Sequence, residues 1–367
     1  MINLLYDYQI FSEQKYGGIS RYFYEISEVI AKSKEIDIKI LSPLFINKYL
    51  SASNSNTVQG MYIPQVRWTG RTVRYLNRAI SRSIVNKTPP NIIHETYYNN
   101  TGMVKIDSGC KRVITIHDMI HEKFPNFFKN PELTQKIKSE ATKRADKIIC
   151  VSENTKKDLI EILNVNPNKI SVIHHGYPKI KLNRQNCTPV MTRPYILFVG
   201  DRNGYKNFYR LLAAFCYATL SNDFTLVCFG GGKFTQNELG EIRLLGLRDE
   251  NIKCISGDDD KLANLYTFAS AFVYPSIYEG FGMPILEAMS YQCPVICSNT
   301  SSFPEVAGNA VEYFDPYDVE SIMHGLNKIL FSSKEKELKK IAGIENLTKF
   351  SWVKCATTTA EIYLDLI

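Results

Sequence analysis

The stretch VYPSIYEGFGMPILEAMSYQCPVI, residues 273–296, decides how the chain is read. It opens on the end of a short apolar strand, breaks at a turn carrying Gly280 and Gly282, and resumes with Pro284. Pro suits the first turn of a helix, where its missing N–H costs nothing. The pattern predicts a helix over residues 283–290 and a second buried strand over 294–298. A strand, a Gly-containing turn and a helix N-terminus together present backbone N–H groups to an anion. Glu279 and Glu287 frame this turn. Eight helical positions span roughly 12 Å, beyond the roughly 5 to 9.5 Å of a glycosidase carboxylate pair. The spacing suits two separate acceptors for hydroxyls of one extended ligand. The plain structural alternative is an ordinary βαβ unit whose helix carries a solvated Glu.

EGFGMPILEA resembles the E-x7-E signature of retaining glycosyltransferases of family 4, enzymes of GT-B type. Gly280, Phe281, Gly282, Pro284 and Ala288 fit as well as the two Glu. The resemblance implies a fold of α/β class, with two Rossmann-like doubly wound domains facing across a cleft and a C-terminal helix crossing back to the first. It also implies that Glu279 lies near the donor sugar and Glu287 holds the nucleotide ribose. The amides between them, at Phe281, Gly282 and Met283, would meet the sugar and its diphosphate. It implies neither cofactor nor metal.

Outward from the signature, the chain is too long, at 367 residues, for one ordinary core. We expect an acceptor domain over 1–180, a linker over 181–194, a nucleotide-sugar domain over 195–350 and a crossover helix over 351–367. No run approaches 18 apolar residues, so no membrane-spanning helix is expected. The N-terminus MINLLYDYQIF reads as a strand, not a leader peptide. Nine scattered Cys without a C-x-x-C pair read as reduced, core-filling thiols of a cytoplasmic protein. Residues 1–180 carry 26 Lys and Arg against 16 Asp and Glu, so the basic excess belongs to the first half. That suits an anionic acceptor or membrane surface. Nucleic acid is the rival, but no nucleic-acid-binding motif is present.

In the first half, Gly17-Gly18 precedes a predicted helix, where backbone can approach a phosphate. With Arg21 it matches a loop of the resembled family that lines the cleft. Residues 47–60 are polar and read as a loop. Arg67, Arg71, Arg74, Arg78 and Arg82 recur at helical spacing beside an apolar stripe of Val73, Leu76, Ile80 and Ile84. A basic amphipathic helix reads as an interfacial element. The alternative is a solvated helix whose stripe packs on the domain. The strand 112–116 ends at His117-Asp118, where a doubly wound sheet places ligands, and the resemblance puts a His here near donor sugar and acceptor. His117-x3-His121 runs into a Pro-containing segment that does not continue a helix, so no metal pair is read there.

In the second half, YILFVG is followed by DRNGYKNF, with Arg202 and Lys206 on the turn. Two cations there can reach a diphosphate, and the resemblance assigns them to the donor diphosphate. Arg202 stands somewhat closer to Lys206 than the family's spacing. Asp258-x-Asp260 spells a metal-binding pattern of other glycosyltransferases, but it falls at a helix start, where acids cap. The implied activity is retaining transfer of a hexose from a nucleotide diphosphate donor to a saccharide acceptor. A GDP-mannose-like donor is favoured by the resemblance of the His117-Asp118 region and FPNFFKNP to mannosyltransferases. The acceptor would be carried on a lipid diphosphate, in O-antigen, lipopolysaccharide or capsule synthesis, with the enzyme cytoplasmic or peripheral on the membrane's inner face. The alternative is a sugar phosphorylase or nucleotide-sugar epimerase on the same architecture.

Overall fold

A computed structural model describes residues 1–53, 56–64, 70–103, 109–177, 188–202 and 204–367. The chain divides into two compact units, Met1–Gly176 with Ser351–Ile367, and Tyr177–Phe350. Each is built on a wholly parallel sheet, and such sheets bury both faces, so their central strands read as continuous apolar runs.

In the first unit the strands are β1 (Ile2–Tyr6), β2 (Ile36–Phe45), β3 (Val58–Tyr62), β4 (Ile92–Glu95), β5 (Lys111–Ile116), β6 (Lys147–Cys150) and β7 (Ile170–Val172). Their order is β3-β2-β1-β4-β5-β6-β7. The order reverses between β1 and β4, the switch point at which such sheets bind ligands at their carboxyl ends. Residues 47–60 are not simply a loop: they hold a short helix, Lys48–Ala52, and the start of β3. A polar edge strand lacks the apolar run of a central one, which hid it. β2 extends past Leu41 through an irregularity between Leu41 and Leu44 before pairing Phe45 with Tyr62. Asn77 supports this stretch, accepting from Leu44 N–H and donating to Leu44 C=O, each at 2.8 Å.

The helix Trp352–Asp365 closes the first unit by packing on the helix Gly18–Ile30. Its Tyr363 hydroxyl lies 2.5 Å from His94 Nδ1 and 3.0 Å from Tyr6 Oη. His94 Nε2 lies 2.9 Å from Thr115 Oγ1, which lies 3.2 Å from Tyr22 Oη. The C-terminal helix is thus fastened through a buried chain of polar groups to β1, β4 and β5. Burial pushes His94 down to about 3, so it sits there neutral.

The second unit holds β8 (Tyr195–Val199), β9 (Thr225–Phe229), β10 (Ile252–Ile255), β11 (Ala271–Tyr274), β12 (Val295–Ser298) and β13 (Glu312–Phe314). Their order β10-β9-β8-β11-β12-β13 reverses between β8 and β11. Phe198, Leu211, Leu226, Val273, Ile296 and Leu326 are among the fully buried side chains of its core. Asp258 caps the helix Asp259–Phe268 by accepting from Lys261 N–H at 3.0 Å.

Candidate functional site

At the switch point of the second sheet, the loops after β8 and β11 meet. Lys206 ends a short 3-10 turn, Gly204–Lys206, and Asn207 follows in the left-handed region with φ 59°. Asn207 donates to Pro316 C=O at 2.7 Å, which anchors the turn. Lys206 Nζ lies 2.6 Å from Glu279 Oε1, with both side chains about one-seventh exposed. The ammonium also sits 5.4 Å from the centre of the Tyr274 ring.

Glu279 is held by groups that the sequence reading missed. Its N–H donates to Ser301 Oγ at 3.1 Å, and its C=O accepts from the hydroxyls of Ser301 and Ser302. Ser302 also reaches Phe281 C=O at 2.9 Å. The signal available was TSS at residues 300–302, a cluster suited to local hydroxyl-to-backbone bonds. Phe281 is buried edge-on against Phe350. Gly282 has φ 97°, and a Cβ there would come 3.1 Å from the Phe303 ring, so this position takes Gly for two reasons. Met283 opens the helix Met283–Ser290, with Pro284 in its first turn, as expected. Glu287 lies on that helix, its Oε2 accepting from the buried Tyr266 hydroxyl at 3.4 Å.

Arg202, near in sequence, is turned to a different set of groups. Its Nε donates to Glu238 at 2.7 Å, and its terminal nitrogens reach the carbonyls of Gly230, Gly231, Gly232 and Lys233 at 3.1 to 3.2 Å. Only 5% of the residue is exposed. The three glycines all have positive φ, and the guanidinium fills the ring of carbonyls they create. Burial pushes the Glu238 carboxyl up, but hydrogen bonds from Arg202 and Thr235 outweigh this and hold it below its usual range. The guanidinium therefore shapes the loop after β9, while Lys206 is the cation at the signature turn.

In the first unit, Gly17 passes so close to the Gln14 side chain that a Cβ would collide with it. Gly18 starts the helix Gly18–Ile30, on which Arg21 pairs with Glu25 at 3.6 Å. His117 follows β5 and is nearly buried. Its ring stacks on His175 at 5.9 Å, and Nε2 has no hydrogen-bond partner among the described residues. Burial, then the neighbouring His94 and Lys138, push it down to about 3. Asp118 accepts from Ile120 N–H at 3.1 Å, and its carboxylate stands 3.8 Å from the buried Lys138, which pairs more closely with Glu122 at 2.8 Å.

The basic helix runs Gly70–Lys87, and Arg67 lies outside the described residues. It buries Val73, Asn77, Ser81 and Val85. Of the expected apolar stripe only Val73 is buried; Leu76, Ile80 and Ile84 remain exposed, as does Tyr75. Three arginines turn to their own unit. Arg74 pairs with Glu13 at 3.3 Å, and Arg78 and Arg82 donate to Thr101.

Two family profiles match the chain, "Glycosyltransferase Family 4" over residues 16–178 and "Glycosyl transferases group 1" over 179–343. O-antigen chain mannosyltransferase B of Escherichia coli is 30% identical over 266 residues, covering 69% of this chain and 70% of that one. O-antigen chain mannosyltransferase RfbU of Salmonella typhimurium is 29% identical over 222 residues, covering 59% and 60%. Among solved structures, WaaG, a glycosyltransferase involved in lipopolysaccharide biosynthesis, superposes with a TM-score of 0.71 at 17% identity, covering 99% of each chain.

Proposed function

The chain belongs to the group 1 glycosyltransferases with a family 4 amino-terminal half, and from that premise we propose that it transfers mannose from a GDP-linked donor, with retention, to a saccharide on a lipid diphosphate. The product would be a surface polysaccharide of the O-antigen or capsule kind, made on the cytoplasmic side of the membrane. The observation that carries the reading is the Lys206–Glu279 pair at the head of the Met283–Ser290 helix. A diphosphate leaving group develops charge as the glycosidic bond breaks, so a fixed cation and helix N–H groups beside it lower the barrier. Lys206 would exchange Glu279 for the diphosphate. The freed Glu279 carboxylate would then accept from donor-sugar hydroxyls, and Glu287 from those of the ribose. Arg202 would act one layer back, holding the Gly230–Gly232 backbone in shape. On the acceptor side, His117, Asp118 and the Gly17–Gly18–Arg21 loop are the proposed contacts. A neutral His117 can accept from or donate to a sugar hydroxyl without bringing charge. The relatives are transferases, so phosphorylase and epimerase chemistry is not proposed.

Peripheral docking on an anionic membrane is part of the proposal, since a lipid carrier must be reached and no described helix is long and apolar enough to cross a bilayer. Its support now rests on the exposed stripe of Leu76, Ile80 and Ile84, not on five free arginines. The test of the whole reading begins with a thermal-shift screen of GDP, UDP, ADP and dTDP, in which GDP should stabilise most. Turnover of GDP-mannose with lipid-linked acceptor, read by NMR, should then give an α-linked product. Stabilisation by another nucleotide alone would overturn the donor assignment, and inversion at the anomeric carbon the retaining one.

A further inference from the structure

A cavity of about 330 Å³ opens in the first unit at the carboxyl ends of β1 and β4. Tyr8 and Gln9 line it from the loop after β1, Tyr98 and Asn99 from the loop after β4, and Arg78 and Arg82 from the Gly70–Lys87 helix. This is the switch point of the sheet, and the size is that of a small-ligand site. Among the described residues no carboxylate lines it. Arg78 and Arg82 each bring a terminal nitrogen to 2.9 Å from the same acceptor, Thr101 Oγ1. Those two nitrogens are therefore no more than twice that distance apart. Arg78 is exposed and Arg82 half-buried, so water screens their repulsion in part and an anion between them would remove the rest. The nearby carboxylates are committed elsewhere: Glu13 to Arg74, Glu95 to Arg144, and Asp7 to Thr96 and Gln9. Among the described residues neither Arg78 nor Arg82 has a carboxylate partner. The guanidinium fork matches phosphate oxygens in pairs.

We propose that this cavity is a phosphate subsite, which takes the phosphate or diphosphate borne by the acceptor. The inference rests on the transferase reading for the word acceptor, but the anion site itself does not. The cavity is joined to the proposed acceptor residues, because Tyr98 Oη accepts from His117 N–H at 3.3 Å. A phosphate gripped by Arg78 and Arg82 would fix one end of the acceptor while its sugar reaches the His117 side. The arginines that looked like a membrane-facing stripe thus have a substrate-facing task.

The test measures binding of radiolabelled pyrophosphate to the full chain carrying Lys206→Gln, which weakens the donor diphosphate site. One equivalent should remain bound, and adding Arg78→Gln and Arg82→Gln should weaken it at least tenfold. In the unsubstituted protein, phenylglyoxal labelling of Arg78 and Arg82, read by mass spectrometry, should be slowed by pyrophosphate and not by glucuronate at equal concentration; this arm needs no variant to fold. Farnesyl diphosphate binding more tightly than pyrophosphate would place the group on a lipid carrier, and equal binding on a free or sugar-borne phosphate; either supports the subsite. Unchanged pyrophosphate affinity in the arginine variant, or equal protection by glucuronate, overturns it. Nucleotide-sugar turnover is measured separately: turnover without pyrophosphate protection would sink the subsite and leave the transferase standing.

Discussion

Glu279→Gln separates two tasks that the Lys206–Glu279 pair combines. At 2.6 Å, with the two side chains 13% and 16% exposed, the pair is a charge-assisted hydrogen bond largely out of water. Such bonds contribute about 1.5 to 3 kcal/mol, and residual exposure argues for the lower end. An incoming diphosphate must draw Lys206 away from the carboxylate. Removing the charge on Glu279 while keeping its shape lifts that competition. At about 1.4 kcal/mol per tenfold, the nucleoside diphosphate should bind up to about tenfold more tightly. Turnover should nevertheless fall at least tenfold, because the donor sugar loses its charged acceptor. Lys206→Gln should do the opposite to affinity, weakening the nucleoside diphosphate by roughly 10- to 100-fold. Titration calorimetry of the two single variants and the double variant closes a cycle that isolates the coupling between them. If Glu279→Gln weakens the nucleoside diphosphate as much as Lys206→Gln does, the competition argument fails.

Gly282→Ala forces a side chain into φ 97° with the Phe303 ring 3.1 Å away. About 1 to 2 kcal/mol of backbone strain follows, so calorimetry should show a lower Tm and donor affinity should drop; an unchanged Tm refutes the close approach. Burial pushes His94 and His117 down to about 3, against about 6.5 for an unfolded His. The unfolded chain therefore takes up protons that the folded one refuses, and the stability is whole above about pH 6.5. It is lost as pH falls towards 3, by about 1.4 kcal/mol per unit for each His; urea midpoints at pH 7, 6 and 5 should decline, and a flat profile refutes it. Excess EDTA should leave turnover intact, since Lys206 and helix N–H groups are the proposed charge stabilisers; loss reversed by Mg²⁺ would reopen Asp258 and Asp260. Replacing Leu76, Ile80 and Ile84 together by Ser should abolish sedimentation with anionic liposomes more than Arg71→Gln does, and equal binding by the triple variant would mean that this helix does not dock.

Much of the architecture was legible because its strands are apolar on both faces. Ile92-Ile93, Val113-Ile114 and Phe272-Val273 announce buried parallel strands by composition alone, and all six are buried. The signature turn was legible for a different reason: Gly282 and Pro284 each have one conformational use there. What escaped depends on partners distant in sequence. Arg202 on a Gly-containing turn looks like a ligand cation, and nothing local reveals Glu238, 36 residues later, as its counter-charge. The Gly70–Lys87 helix was read by its apolar period, whereas half of its buried face is Asn77 and Ser81. Asn77 is inside because Leu44 offers it two backbone groups, which no hydrophobic pattern records. Lys206 and Glu279 were both named, but their contact joins loops 73 residues apart.

The Tyr363–His94 contact spans 269 positions of sequence, and that span orders events during synthesis. When the first 176 residues have left the ribosome, β4 and β5 can pair, yet His94 lacks the hydroxyl that completes its shell. The whole of the second unit must be translated before the Trp352–Asp365 helix arrives to supply it. Without Tyr363 the seam beside β1 stays open, and His94 keeps its Thr115 contact but must turn its Nδ1 to water. Folding of the first unit is thus non-local: its buried polar chain closes only with a helix made after the whole of the second unit.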